Sequence, residues 1–416
     1  MQTKLSSKFW AAMIIFGLMG QVAWVVENMY FNVFIYKMFN AEPADISAMV
    51  MASAVTAALT TIIMGAVSDK VGRRKAFMSV GYIIWGVSII SFAYIKSIML
   101  TIVMDCVMTY FGSTANDAAY NAWLTDRGDS GNRGKIEGVN SMMPLVAILV
   151  VFGGFMSFDL NTHEAWTTIY YIIGIATTLI GIAGWFLIEE APGLRKTEES
   201  LGDTLAYSFR PSVARQNRTL YVTLACFAVF NISIQIFMPY LIIYYEQTLG
   251  LDNYVLIFAP AILIAAAVTV FYGRLYDRAG FMKSIIPVCF ILLAGYAILY
   301  FTRAQAAGQA FAGSLLMMIG YLAGMSVFGA MIRDNIPAGR AGQFQGVRII
   351  GQVFVPGLIG PAIGAWILRD ADVIVNGDGT ESFLPDKGIW SAAAAVIIVL
   401  FVLLMLTKNS RKEISK

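Results

Sequence analysis

Three carboxylates and one guanidinium, Glu27, Asp105, Asp117 and Arg348, stand inside long apolar runs. An ionisable side chain in such a setting is costly to keep, so each is a functional candidate by default. Amides and aromatic rings surround them at helical spacing. Gln21, Trp24 and Asn28 recur at i, i+3 and i+7, one helical face with Glu27 beside it. Asp105, Thr109, Gly112, Asn116 and Tyr120 form a second stripe, flanked by Asp117 and Asn121. Asn231 and Gln235 stand one turn apart, and Gln345, Arg348 and Gln352 share another face. Carboxylates, amides and rings together suit a polyhydroxylated ligand. Asn28, Asn116, Asn121, Gln352 and Asp117 would bond hydroxyls, and Trp24 or Tyr120 would stack on an apolar ring face. For Asn231, Gln235 and Gln345, hydrogen bonding that merely glues helices together is an equal alternative. Arg348 instead neutralises a carboxylate such as Glu137, or faces water, in the competing reading. Asp105 is open between a structural and a functional charge. Glu27 and Asp117 are the candidates to carry a coupling proton. The sole histidine, His163, falls in a loop, which leaves no histidine relay.

The elements that must hold these residues follow from composition. Of 416 residues 58% are hydrophobic and 13% charged, with mean hydropathy +0.70. Soluble domains carry about 25% charged residues. A membrane helix needs about 20 residues, so the apolar content matches about twelve spans. Soluble enzymes, nucleic-acid-binding proteins and secreted scaffolds are excluded. The spans fall near 9–36, 46–67, 77–95, 98–125, 138–158, 167–188, 219–245, 254–273, 285–302, 310–332, 343–368 and 389–407. Cys106, Cys226 and Cys289 lie in apolar runs and read as buried thiols, not a disulfide framework. The first apolar run is too long for a signal peptide. The 22 methionines read as flexible packing. The polar stretch 189–218 reads as a linker between halves 1–188 and 219–416.

Basic residues set the expected orientation. On the side holding both termini the loops carry 23 of the 29 Lys and Arg; the other side carries five, and Arg348 lies within a span. The excess of basic residues marks the cytoplasmic face. Both termini are therefore expected in the cytoplasm, in an inner plasma membrane.

One offset organises the chain. Gly65, Asp69, Gly72 and Lys75 recur 208 residues later as Gly273, Asp277, Gly280 and Lys283. Asp126, Gly134 and Gly138 recur at the same offset as Asp334, Gly342 and Gly346. Six spans per half is an even number, so both halves enter the bilayer from one side as parallel repeats. The expected architecture is an all-α membrane protein, two six-helix bundles around a central cavity. The repeated loop, with Asp69 and Asp277 at helix ends beside cationic residues, reads as a charge clasp that holds one conformation and breaks in another. Gly65, Asp69, Gly72, Arg73, Asp277 and Gly280 are its candidate gating residues.

The stretch Gly65-x-x-x-Asp69-x-x-Gly72-Arg73-Arg74-Lys75 resembles the signature loop of the major facilitator superfamily, degenerate second copy included. That resemblance implies a secondary transporter rocking between inward- and outward-open states around a midplane site. In span 4, Asp117-Ala-Ala-Tyr120-Asn121-Ala122-Trp123-Leu124 is similar to a stretch of the melibiose-type glycoside cation symporters, implying that Asp117 holds sugar hydroxyls. Ala119 replaces that group's usual proline. Ala57 and Thr61 stand where its sodium-binding carboxylates would be, which favours a proton over sodium. Gly357-x-x-Gly360-Pro361-x-x-Gly364 resembles an element of proton-driven drug antiporters, but it sits in span 11 and reads as close helix packing with a kink. The leading expectation is a proton- or cation-coupled symporter of a sugar, glycoside or similar solute, acting as a monomer without cofactor, metal or nucleic-acid partner. An exporter of amphipathic drugs or lipids is the alternative.

Overall fold

A computed structural model describes residues 5–128, 132–190, 208–336, 341–376 and 379–414. Among them, twelve helices are long and apolar enough to cross a membrane. These are α1 (Ser7–Phe39), α2 (Pro43–Val71), α3 (Lys75–Tyr94), α4 (Ile98–Arg127), α5 (Gly138–Phe155), α6 (His163–Leu187), α7 (Arg218–Thr248), α8 (Val255–Ala279), α9 (Phe281–Phe301), α10 (Ala307–Asn335), α11 (Gly346–Leu368) and α12 (Gly388–Leu406). All twelve expected spans are present, most of them longer than expected. Ser6 caps α1 by accepting from the Phe9 amide at 3.0 Å. Thr162 caps α6, which puts His163 on its first turn instead of in the expected loop.

The chain divides into two compact units, one of residues 1–39 and 52–207, the other of 40–51 and 208–416. In the first, α1 packs on α5 and α6, and α3 packs on α6. In the second, α7 packs on α11, and α9 on α12 and α10. The 1–5 and 3–6 pairings recur as 7–11 and 9–12, as expected of parallel repeats. Close approach depends on small residues: a Cβ on Gly174 would lie 3.1 Å from the Ile90 amide nitrogen of α3.

One described segment departs from the all-helical expectation. Strands β1 (Val373–Val375) and β2 (Glu381–Phe383) form an antiparallel hairpin between α11 and α12. Asn376 of this hairpin donates to Asn40 Oδ1 at 3.3 Å, and the Tyr240 hydroxyl donates to the Pro43 carbonyl at 3.0 Å. These bonds hold the start of α2 within the second unit.

Four spans interrupt their α-helix with π-helical turns. α1, α4, α7 and α11 contain π-helical turns at Val26–Tyr30, Ser113–Tyr120, Tyr244–Thr248 and Ile350–Phe354. Such turns are rare and concentrate at functional sites. Six of the candidate residues, Glu27, Asn28, Asn116, Asp117, Tyr120 and Gln352, lie on them.

Candidate functional site

Glu27 is buried in the first unit, on the π-turn of α1. Its Oε1 accepts from the Ser53 hydroxyl of α2 at 2.6 Å and from the Thr109 hydroxyl of α4 at 2.9 Å. The two hydroxyls are 2.9 Å apart, so three helices converge on one carboxylate oxygen. Glu27 continues the buried face of Phe9, Met13, Phe16, Gly20 and Ala23, while Asn28, aligned with Gln21 and Trp24, is exposed.

Several stripe residues meet around this carboxylate. Trp24 is half-buried, with its ring 5.1 Å from Trp85. Gly112 makes room for this pair, since a Cβ there would lie 2.8 Å from the Trp85 ring. Asp117 is half-buried among Trp24, Ser113 and Asn116, near enough for Glu27 to feel its charge. Gln21 is half-buried on the same helix as Trp24. Asn116 is buried, and its Oδ1 lies 3.2 Å from the Tyr82 hydroxyl, which also donates to the Phe16 carbonyl at 2.6 Å. Tyr120 is 3% exposed, and its hydroxyl reaches the Met13 carbonyl and Asn140 Oδ1, each at 3.0 Å. With that burial its ring is covered by protein, and Trp24 is the accessible ring of the two.

Three of the other amides serve their own helices. Asn28 donates to the Trp24 carbonyl at 2.8 Å, Asn121 to that of Asp117 at 3.1 Å, and Asn231 to that of Phe227 at 2.8 Å. These three side-chain amides take carbonyls one turn back on their own helices. In the second unit Gln235, Arg348 and Gln352 are each half-buried. Gln235 packs against Gly360: a Cβ there would lie 2.8 Å from the Gln235 carbonyl carbon. The glycines of α11 thus seat it against α7, as expected. The side chains of Gln345 and Glu137 lie outside the described set.

The repeated loops form a second cluster at one end of the helices. Arg74 is its centre, with a side chain 5% exposed. Its guanidinium donates to Asp69 Oδ1, to Asp126 Oδ2 at 2.8 Å and to the Ser68 hydroxyl at 2.6 Å. Burial alone would ease its deprotonation, but Asp126 and Asp69 outweigh that and raise its pKa above the ordinary value. The Glu190 carboxylate accepts from the Arg74 and Lys75 amides at 2.9 to 3.1 Å, capping the N-terminus of α3. Glu189 pairs with Arg127 at 3.0 Å. Gly65 and Arg73 are not in the tie: Arg73 is exposed, and a Cβ on Gly65 would meet nothing within 4 Å. Gly72 and Gly280 have φ of 67° and 79°, a conformation that makes each a helix stop only glycine adopts easily. In the second copy Asp277 is exposed, and the Tyr276 hydroxyl donates to Asp334 Oδ2 at 2.6 Å.

Sequence reasoning missed Ser53, Arg74, Glu190 and Tyr276. Only Arg74 carried a signal: it precedes Lys75, the first residue of α3, so the helix start turns it inward.

The chain matches the Major Facilitator Superfamily over residues 9–361. It is 22% identical over 375 residues to sugar efflux transporter A of Dickeya chrysanthemi, covering 88% of this chain and 91% of the relative. It is 22% identical over 217 residues to sugar efflux transporter B of Salmonella typhimurium, covering 52% of this chain and about half, 53%, of that relative's length. Its fold is similar to a crystal structure of a variant of the nucleoside transporter NupG, with TM-score 0.75 at 12% identity, covering 95% of this chain and 98% of that one. Twelve spans, the duplicated loops and this match agree: the chain is an integral membrane transporter, not an enzyme, and belongs to the Major Facilitator Superfamily.

Proposed function

We propose that the protein moves a sugar or similar polar solute across the inner membrane by alternating access, with a proton as the coupling ion and export as the direction. The observation that carries this reading is Glu27, a buried carboxylate inside the bundle held by two hydroxyls and adjoined by Asp117 and Trp24. Asp117, Asn121 and Asn28 offer hydroxyl partners at accessible positions, and Trp24 offers a ring face. The melibiose-like stretch around Asp117 supports a sugar contact there. The names of the two relatives support sugar as the solute and outward as the direction, so we favour proton antiport over the symport that the span 4 resemblance suggested. Both termini lie in the cytoplasm in this reading, on the strength of the basic-residue asymmetry. Arg74, Asp69 and Asp126 tie the gate.

Proteoliposomes preloaded with labelled mono- and disaccharides test the reading. Loss of label accelerated by an imposed proton gradient supports it. Movement of amphipathic dyes with no movement of any sugar would transfer the assignment to a drug or lipid exporter.

A further inference from the structure

The three oxygens that meet at Glu27 touch one another pairwise. Ser53 Oγ lies 2.6 Å from Glu27 Oε1, Thr109 Oγ1 lies 2.9 Å from it, and the two hydroxyl oxygens are 2.9 Å apart. All three separations fall within the range of an O–H···O hydrogen bond, about 2.5–3.0 Å. Each hydroxyl has one proton to give. With Glu27 ionised, two protons serve three contacts, and one pair of oxygens faces each other with lone pairs alone. Three contacts need three protons, and the missing one fits on Glu27 Oε1. Each O–H then donates to the next oxygen around a closed ring.

The surroundings agree with the proton count. Glu27 is 6% exposed, and its Oε2 is buried and accepts no hydrogen bond among the described residues. A neutral carboxyl tolerates such a position far better than a carboxylate. Residues 9–36, 43–69, 76–95, 98–126 and 139–190 contain no Lys or Arg, so this unit offers Glu27 no cation away from the ends of its spans.

We propose that Glu27 is a neutral acid in this conformation, and that Ser53 and Thr109 are positioning residues which close a hydrogen-bonded ring only while its proton is bound. The ring joins α1, α2 and α4 at one point. When the Glu27 O–H bond breaks and the proton leaves to water, the charge stays on the carboxylate and one contact of the ring must open. With both hydroxyls turned to the carboxylate, that contact is the one between Ser53 and Thr109. Proton release is thereby tied to a movement of α2 against α4. The titratable groups of α4 near Glu27 are Asp105, buried one turn before Thr109, with Cys106 and Asp117. Tyr30 follows Glu27 on α1, and Tyr82 of α3 and Tyr170 of α6 are buried phenols of the neighbouring helices. α2 and α5 carry no titratable side chain away from their ends.

The inference rests on the proton-coupled reading above, yet its test needs no solute. Infrared spectra of the full-length protein in liposomes report the stretch of a protonated carboxyl, and Glu27→Gln assigns the Glu27 band by its loss. Wild type is expected to show this band at neutral pH. Ser53→Ala and Thr109→Val each remove one oxygen of the ring and should shift the band. Ser53→Thr and Thr109→Ser keep the hydroxyl and should leave it near its wild-type position, a sorting that plain packing would not produce. The two deletions lie on different helices, so either one tests the ring if the other does not fold. A wild-type protein without the band, or a band that neither deletion moves, would overturn the ring. So would loss of the band on adding sodium at constant pH, which would make this a cation site. Sugar flux indifferent to a pH gradient, with the ring band intact, would count against the coupling reading alone.

Discussion

Tyr276 donates a 2.6 Å hydrogen bond to Asp334, and these two residues stand 208 positions after Ser68 and Asp126. In the first unit Ser68 and Asp126 are joined through Arg74, whose counterpart in the second is Met282. One repeat thus ties the end of its fourth helix with a buried guanidinium, the other with a phenol. A guanidinium makes several charge-assisted bonds at once, so the two ties differ in strength.

Arg74→Ala should lower stability by about 2 kcal/mol, a buried-pair loss discounted because Asp69 and Asp126 are partly exposed. Tyr276→Phe should cost about 0.5–1 kcal/mol. Arg73→Ala, at an exposed position, should stay within about 0.5 kcal/mol. Thermal unfolding in detergent ranks the three. Equal effects of Arg73 and Arg74 would remove Arg74 from the centre of the tie.

Asp69→Asn loosens the same tie without removing a side chain. Solute affinity at equilibrium should be retained while the transport rate changes on the order of tenfold, equivalent to ~1.4 kcal/mol on the barrier. Binding measured beside transport separates the two. An unchanged rate would show that the clasp does not gate.

Glu190→Ala removes the carboxylate that caps α3. The expected cost is about 1 kcal/mol, with faster hydrogen exchange confined to the first turn of that helix. Exchange that rises across the whole unit would point to a larger role for this contact.

Gly360→Ala places a Cβ 3.0 Å from the Ile232 carbonyl and closer to Gln235. Overpacking at such a contact costs about 1–3 kcal/mol. Gly153→Ala meets nothing within 4 Å and should be close to neutral. A stable Gly360→Ala protein would deny that α7 and α11 meet through this glycine.

The spans were legible because a membrane helix is specified by a long apolar run, and the 208-residue offset displayed the repeat. The polar stripes of α1 and α4 were legible as candidates, yet their orientation was not. Helical-wheel spacing assumes 3.6 residues per turn, and the π-turns at Val26–Tyr30 and Ser113–Tyr120 break that assumption. Ser53 carries no signal of its own: it is one hydroxyl in a run of small residues, and only folding brings it to Glu27 and Thr109. The hairpin at 373–383 is too short for alternation to reveal it.

The central claim is that the buried carboxylate at Glu27 couples solute movement to protons. Labelled-sugar flux in proteoliposomes, compared with and without an imposed pH gradient, in wild type and in Glu27→Gln, tests it most directly. The account predicts that the gradient drives flux in wild type. In Glu27→Gln the gradient should have no effect, while solute exchange down its own gradient persists. A gradient response that survives intact in Glu27→Gln would contradict it.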